Sequence, residues 1–305
     1  MHLLRKFKYH LMLIITIVTW GLDPVINRYL YEYYSAAALA ALATFVSAIV
    51  FASLAYKKRH LWSKKYLRIA LPICLANSFA CLLQRIGLQY TTPARYAFLE
   101  HLSCITVPLI LFLFFRQKPR ISQALASVLC LIGCLLLTGA GKGAFAFAIG
   151  DILCALAGLL LGLGIVLTAI RARELDITLF MTVHMCTYFF TSLGMMLSLH
   201  FIKIDGVPME AIKFSFSPLP LLAAVLLSLL SIGLCWMLRN EATQHLSPTL
   251  VAVLVPFSAV ITAAVSILCG IDTASPSFFV ASVLILLSAI LAGLGDQPKR
   301  KSTSE

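Results

Sequence analysis

Five ionisable side chains lie within long runs of apolar residues, where charge is rare. They are Asp23, Arg85, Glu100, His101 and His184. An ionisable group in hydrocarbon costs at least about 2.5 kcal/mol at mid-helix, so such groups usually pair with one another or line a polar path. Carboxylates and a guanidinium can hold a charged solute, and a histidine can exchange protons near neutral pH. Their chemistry indicates solute binding and proton coupling.

The composition indicates the solvent around these side chains. Of the 305 residues, 61% are apolar and 12% are charged, about half the charged fraction of a soluble domain. That leaves too little polar surface to cover a water-soluble fold. The apolar residues come in blocks of about 20, the length at which a helix crosses a ~30 Å hydrocarbon core. Unpaired backbone amides are costly in lipid, so we predict an all-α, polytopic membrane protein.

The apolar blocks predict ten transmembrane helices. Their predicted bounds are 9–31, 35–56, 66–90, 93–115, 118–140, 148–172, 177–201, 218–240, 248–270 and 276–295. The first block follows a basic segment, as in a signal peptide, but it has no small-residue cleavage site. We therefore interpret it as a retained helix.

The charges between the blocks predict the orientation. The net charge is +12, and Lys and Arg are clustered between apolar blocks rather than in a stripe with aromatic residues, so nucleic acid is not an expected partner. If the N-terminus is inside, eighteen Lys and Arg are cytoplasmic, Arg239 among them, and four are outside. This positive-inside excess predicts that both termini are cytoplasmic, including the tail 296–305.

Several kinds of site are absent from the sequence. The nine cysteines all lie in apolar blocks without CxxC or Cys/His metal spacing, so they are interpreted as small buried side chains. No phosphate-binding loop, paired histidine motif or nucleophile elbow occurs. We therefore expect no cofactor, no metal and no enzymatic activity.

The two halves of the chain resemble each other. A shift of 155 residues superposes five identical residues near the third and fourth blocks of each half, namely Gln89, Pro93, Ala97, Leu99 and Ser103 onto Gln244, Pro248, Ala252, Leu254 and Ser258. We predict a five-helix repeat at 1–140 and a second at 148–295. An odd number of helices inverts the second repeat relative to the first, the plan of many secondary transporters.

These motifs resemble a known family. The stretches 89–99 and 244–256, together with Trp20-Gly21, are similar to signatures of the drug/metabolite transporter superfamily, EamA type. The resemblance implies a transporter whose helices 1, 3, 4, 6, 8 and 9 line a central cavity. The family usually has proline in the middle of both signatures. Pro256 matches this pattern, but His101 replaces the proline in the first half, which suggests a specialised substrate or coupling site.

The charged residues yield a specific hypothesis. Asp23, Arg85 and Glu100 all lie roughly 10 Å below the outer surface. Arg85 should pair with Glu100 or Asp23, leaving the other carboxylate for a substrate cation or a proton. The alternative is an ion pair that only joins helices 3 and 4. His101 is either a proton relay or a neutral hydrogen-bonding residue, and His184, on a helix that the family places peripherally, is interpreted as structural.

Aromatic residues and prolines complete the predicted site. Trp20, Tyr96, Tyr188 and Trp236 could surround a cationic substrate, or they could anchor helix ends at the membrane interface. Four prolines are candidate hinges, with tolerated kinks as the alternative. They are Pro24, Pro93, Pro248 and Pro256.

Together these features predict a secondary active transporter in the plasma membrane. Its substrate would be a small metabolite, amino acid or drug, moved by alternating access, and efflux is the direction that the family resemblance favours. The expected partners are this substrate, membrane lipid and a coupling proton, in a monomer or a homodimer. The alternatives are a flippase for lipid-linked substrates and an intramembrane enzyme.

Overall fold

The computed structural model describes residues 2–90, 99–137, 149–171, 175–201, 212–270 and 276–295. The first part of this structure is a series of single helices. They are α1 (His2–Leu30), α2 (Ala36–Tyr56), α3 (Lys64–Gln89), α4 (Ser103–Phe115), α5 (Ile121–Leu137), α6 (Ile149–Arg171) and α7 (Ile177–Phe201).

The second part contains two interrupted helical rods. The first rod consists of α8 (Pro218–Leu227), a π-helical segment (Ser228–Leu234) and α9 (Cys235–His245). In the second rod, α10 (Pro248–Leu254) and α11 (Phe257–Leu268) are separated at Pro256, and α12 (Pro276–Gly295) follows. Serine caps begin some helices: Ser63 Oγ accepts a hydrogen bond from the Tyr66 amide, and Ser247 Oγ accepts one from the Leu250 amide.

These helices confirm the all-α membrane class. Within the described residues, eight helices are long and apolar enough to cross a membrane, and two shorter apolar helices, Ser103–Phe115 and Ile121–Leu136, occupy the fourth and fifth predicted blocks. All ten predicted blocks therefore contain helix. The arrangement as ten spans in two inverted repeats stays a prediction.

One predicted boundary is wrong. The eighth span was predicted to end at residue 240, with Arg239 among the cytoplasmic cations, but the helical rod continues to His245. The Arg239 side chain is 3% exposed and lies inside the bundle. The polar stretch 239–241 is typical of a loop in sequence, whereas tertiary packing buries it. Without Arg239, the Lys and Arg residues that are predicted to be cytoplasmic still greatly outnumber the four that are predicted to be outside.

Close packing positions the helices around the interior. α3 packs on α6 and α7, α1 packs on α9 and α11, α2 packs on α7, and α5 packs on α12. Glycines allow some of these approaches: a Cβ on Gly164 of α6 would overlap the Asn77 amide of α3, and one on Gly87 would lie 2.5 Å from Cys154 Sγ. Large apolar side chains such as Phe114 and Leu268 remain exposed, as expected of a surface that faces lipid.

Side chains from neighbouring helices hold the π-helical segment. Ser47 Oγ of α2 donates to the Ser228 carbonyl over 3.0 Å, and Ser228 Oγ donates back to the Ala43 carbonyl over 2.5 Å. On the other side, Trp20 Nε1 of α1 donates to the Ser231 carbonyl over 3.0 Å. A π-helical turn disrupts the regular hydrogen bonding of an α-helix and often occurs at functional sites. These contacts fix the segment between α1 and α2.

Candidate functional site

A polar cluster in the bundle interior begins at Asp23 on α1. Its Oδ2 accepts a hydrogen bond of 2.6 Å from Asn27 Nδ2, one turn further along the helix. The carboxylate also interacts with the Ser231 hydroxyl and, over a longer range, with the Arg85 guanidinium. Pro24 follows Asp23 within α1 and lacks the amide that would bond to the Trp20 carbonyl. Asp23 therefore lies where α1, α3 and the π-helical segment meet.

Arg85 on α3 joins this cluster to α7. Its Nε donates a hydrogen bond of 3.0 Å to the Tyr188 hydroxyl. Neither Asp23 nor Glu100 lies within ion-pair distance of the Arg85 guanidinium. The phenol of Tyr188 is thus the direct partner of Arg85, a role that the sequence did not indicate.

Trp236 on α9 is the aromatic centre of the cluster. Its ring lies 5.6 Å from that of Trp20 and 4.6 Å from that of His184, measured between centroids. His184 also stacks near Tyr188, with centroids 6.4 Å apart. The structure thus brings Trp20 and Trp236 together with His184 and Tyr188 of α7.

His184 is completely buried in this cluster. Its exposed fraction is 0%, and neither ring nitrogen has a hydrogen-bond partner. In a neutral imidazole one nitrogen carries a proton and the other accepts one, so the ring offers both a donor and an acceptor. Both amide atoms of Asn77, also 0% exposed, lack partners as well. Buried polar groups usually have partners, so these unpaired atoms indicate a site that binds water or a ligand.

Arg239 carries a second buried guanidinium. It lies over the Trp236 ring, 5.0 Å from the centroid, and its Nη1 donates to Asn240 Oδ1 over 3.2 Å. The Nε atom has no partner. Among the residues that the structure describes, no carboxylate is within ion-pair distance of it. Arg239 was missed because its sequence context is typical of a cytoplasmic helix end.

Glu100 and His101 lie just before α4. The carbonyl oxygens of Leu99 and Glu100 face Gly158 of α6. His101 is 4% exposed. Cys81 of α3 lies in the region between Glu100 and the two arginines, Arg85 and Arg239.

The remaining predicted residues have different positions. Tyr96 and Pro93 lie outside the described residues. Pro248 is at the start of α10, where a proline is compatible with helical geometry. Pro256 separates α10 from α11. Near this break, Thr262 Oγ1 of α11 donates to the Gly21 carbonyl over 2.8 Å, which links the second rod to α1 beside Asp23.

Metal-ligating side chains do not form a cluster in the described residues. Within the part of the chain that the structure describes, no three His, Cys, Asp or Glu residues come together in a way that could hold a metal ion. The chemistry available here is hydrogen bonding, charge pairing and aromatic contact, which suits reversible binding of a solute.

One ion pair lies outside the spans, at the start of α7. Lys58 Nζ donates to Asp176 Oδ2 over 2.6 Å, and Asp176 Oδ1 accepts from the Thr178 and Leu179 amides. Burial alone would raise the pKa of Asp176, but the Lys58 hydrogen bond and these amides together lower it below 3.8. The pair fixes the connection after α2 to the first turn of α7.

Comparison with known proteins gives a family match in the first half of the chain. Residues 7–139 match the EamA-like transporter family, which belongs to the drug/metabolite transporter superfamily. The resemblance is therefore confirmed over this stretch. The EamA-like half contains Trp20, Asp23 and Arg85, so the first three residues of the cluster lie within the matched region. Members of this family are membrane transporters rather than enzymes.

Solved structures show how widely the fold is shared. One crystal structure superimposes with a TM-score of 0.74 at 16% identity, covering 94% of this chain and 96% of that chain. At this identity the likeness concerns the fold alone, and it extends beyond the EamA-like half to nearly the whole chain. No curated protein matches this sequence.

Proposed function

We propose that this multi-pass protein is a secondary active transporter that moves a small metabolite, amino acid or drug across the plasma membrane. The observation that carries the proposal is the buried polar cluster between α1, α3, α7 and α9. Its charged members are Asp23, Arg85 and Arg239. Such groups at membrane depth are expensive and are typical of substrate and ion pathways.

The packing of the helices supports two inverted repeats. In the predicted repeats, α1 corresponds to α6, α3 to the α8–α9 rod and α4 to the α10–α11 rod. The contact of α3 with α6 therefore corresponds to the contact of the α8–α9 rod with α1, and the contact of α4 with α6 corresponds to that of the α10–α11 rod with α1. Helices α2 and α7 correspond to each other, as do α5 and α12, so each of these two contacts is its own equivalent. All these contacts occur, and a two-fold relation of this kind is common in transporters that bind substrate between their repeats.

Alternating access requires places where helices can bend. The π-helical segment interrupts the rod that carries Trp236 and Arg239, and Pro256 interrupts the rod that contacts α1 beside Asp23. Both interruptions lie next to the cluster, as expected of hinges that open it to one side and then to the other. The proton is the candidate coupling ion, with Asp23 and Glu100 as carboxylates that could carry it.

Flux measurements on purified protein in liposomes test this proposal. Liposomes that contain a pH-sensitive dye are given an inward or outward pH gradient and a panel of metabolites, amino acids and cationic drugs. We expect at least one solute to move with the protein present and to carry protons with it. No flux for any solute in either direction would contradict the proposal, and flipping or chemical conversion of a lipid-linked substrate would favour the alternatives.

Glu100→Gln separates a coupling role from a structural one. The variant keeps the size of the side chain and removes its charge. We expect a monodisperse, folded protein with strongly reduced flux, while the exposed Glu32→Gln behaves as wild type. Misfolding of the Glu100→Gln variant would favour a purely structural role.

A further inference from the structure

Arg239 is a buried cation whose charge the described structure leaves unbalanced. Its side chain is 3% exposed, its Nε has no partner, and its one hydrogen bond is to the neutral amide of Asn240. Removing a charge from water without a counter-charge costs several kcal/mol. Buried charges in folded proteins are normally paired, so a bound ligand is the expected partner of Arg239.

Arg85 and Arg239 differ in how they are satisfied. Arg85 Nε has the Tyr188 hydroxyl at 3.0 Å, and the Asp23 carboxylate lies within electrostatic range. Among the described residues, no hydroxyl or carboxylate is a partner of the Arg239 side chain. Under the shift of 155 residues that superposes the halves, Arg85 corresponds to Asn240 and Arg239 corresponds to Gln84. Each half therefore carries an arginine beside a neutral amide at this level of its helix, and only the arginine of the first half has a hydroxyl partner in the described structure.

The surroundings of Arg239 define what that partner would be. The indole of Trp236 covers one face of the guanidinium, so an incoming group must approach the edge that carries the N–H donors. Trp236 also contacts His184, whose ring nitrogens both lack a hydrogen-bond partner in the described structure. A planar carboxylate fits a guanidinium edge with two parallel hydrogen bonds, and its single charge would balance the single unpaired cation.

We propose that Arg239 binds the carboxylate of a small organic anion, with Asn240 and His184 as neutral neighbours and Trp236 as the wall of the site. The proposal rests on the proposed function, in that this anion is the transported solute. It places the negative end of the solute at α9 and leaves Asp23 on α1 for a positive group or a proton.

An equilibrium binding experiment tests this assignment without relying on transport. Two of the three tryptophans, Trp20 and Trp236, lie in the cluster, so a Trp62→Phe background makes the intrinsic fluorescence report on the site. Protein in phosphatidylcholine nanodiscs, which contain no anionic lipid, is titrated with acetate, lactate and benzoate. Acetamide, lactamide and benzamide are the matched uncharged probes, and chloride and inorganic phosphate are the anion comparators.

We expect at least one carboxylate to change the fluorescence and raise the melting temperature, while its amide, chloride and phosphate have much weaker effects. In Arg239→Gln the affinity for that carboxylate should fall about tenfold or more, because a charge-assisted hydrogen bond is lost. Arg239→Lys should recover part of it, and the exposed Arg68→Gln should bind as wild type.

Several outcomes would overturn the proposal. One is an equal response to each carboxylate and its amide, or to chloride. Another is unchanged carboxylate binding by folded Arg239→Gln, with folding checked by size-exclusion chromatography. If carboxylates bind in an Arg239-dependent way but no solute crosses the liposome membrane, carboxylate binding at Arg239 is supported and the transport function is contradicted. If flux persists in Arg239→Gln with an unchanged KM for every carboxylate, the transport function is supported and carboxylate binding at Arg239 is contradicted.

Discussion

Arg85 on α3 donates its Nε hydrogen to the hydroxyl of Tyr188 on α7 over 3.0 Å. This contact joins a helix of the EamA-like half to a helix of the other half. The nearby carboxylate of Asp23 contributes charge at longer range but no direct bond. The link between α3 and α7 in the central polar cluster is therefore a neutral hydroxyl that accepts a hydrogen bond from a cation.

Tyr188→Phe should destabilise the protein and impair transport. The change leaves the buried Nε of Arg85 without an acceptor, which costs about 1–3 kcal/mol. The measurement is the melting temperature of the detergent-solubilised protein together with liposome flux. Tyr56→Phe is the matched control, because Arg59 Nη1 donates to the Tyr56 hydroxyl over a similar 3.0 Å in an exposed position. Equal changes in melting temperature and flux for the two substitutions would show that the Arg85–Tyr188 hydrogen bond contributes no more than the exposed Arg59–Tyr56 hydrogen bond.

Asp23→Asn should reduce proton-coupled flux by about tenfold or more and leave the fold intact. The amide keeps the size of the carboxylate but cannot carry a proton or a charge, so substrate or proton binding at Asp23 is lost. Flux under a pH gradient and melting temperature are measured together. Glu32→Gln removes an exposed carboxylate and should leave flux unchanged. Full coupled flux in Asp23→Asn would exclude Asp23 from the coupling step.

Trp20→Phe should loosen the π-helical segment. Phenylalanine retains the ring but removes the Nε1 donor that satisfies the Ser231 carbonyl, at a cost of about 1 kcal/mol in stability. Hydrogen–deuterium exchange of residues 228–234 should increase in this variant. Trp62→Phe, just before the start of α3, should leave exchange in that segment unchanged. No difference between the variants would mean that α1 does not restrain the segment.

Gly164→Ala should destabilise the α3–α6 contact. The added Cβ would overlap the side chain of Asn77, and such overpacking costs about 1–3 kcal/mol. Gly194→Ala is the control, because nothing lies within 4 Å of its added Cβ and alanine favours the helix. We expect a lower melting temperature for the first variant and an equal or higher one for the second. The opposite order would mean that α3 and α6 can move apart without cost.

The Lys58–Asp176 pair should make stability depend on acidity. Because the folded-state pKa of Asp176 is lowered below 3.8, its contribution is complete at neutral pH and is lost as the pH falls through that lowered value. The melting-temperature difference between wild type and Asp176→Asn should therefore be largest near pH 7 and shrink below about pH 4.

Lysine variants provide the control for this pair. Lys58→Met should reduce the pH-dependent difference to the part that the helix amides contribute, whereas Lys57→Met, at the exposed neighbouring position, should preserve it. A difference that stays constant across the pH range would mean that the charge of Asp176 contributes nothing to stability.

The membrane class and the helix positions could be predicted from the sequence alone. A helix in lipid must satisfy its own backbone hydrogen bonds, so the length and position of each apolar block decide where it forms. For the same reason Trp20, Asp23 and Arg85 could be named as site residues, since polar groups within apolar blocks are conspicuous. Their joint position beside Trp236 agrees with that interpretation.

Tertiary packing decided the rest of the cluster. Helices that are apolar on nearly every face do not reveal in sequence which face points inward. α7 directs His184 and Tyr188 to the interior because it packs against α2 and α3, although its place in the family had suggested a peripheral, structural role. Arg239 looks like a cytoplasmic charge in sequence, but the rod through the π-helical segment carries it into the bundle. The sequence determined which segments enter the membrane, because that depends on local backbone bonding; contacts between distant helices decided which side chains meet there.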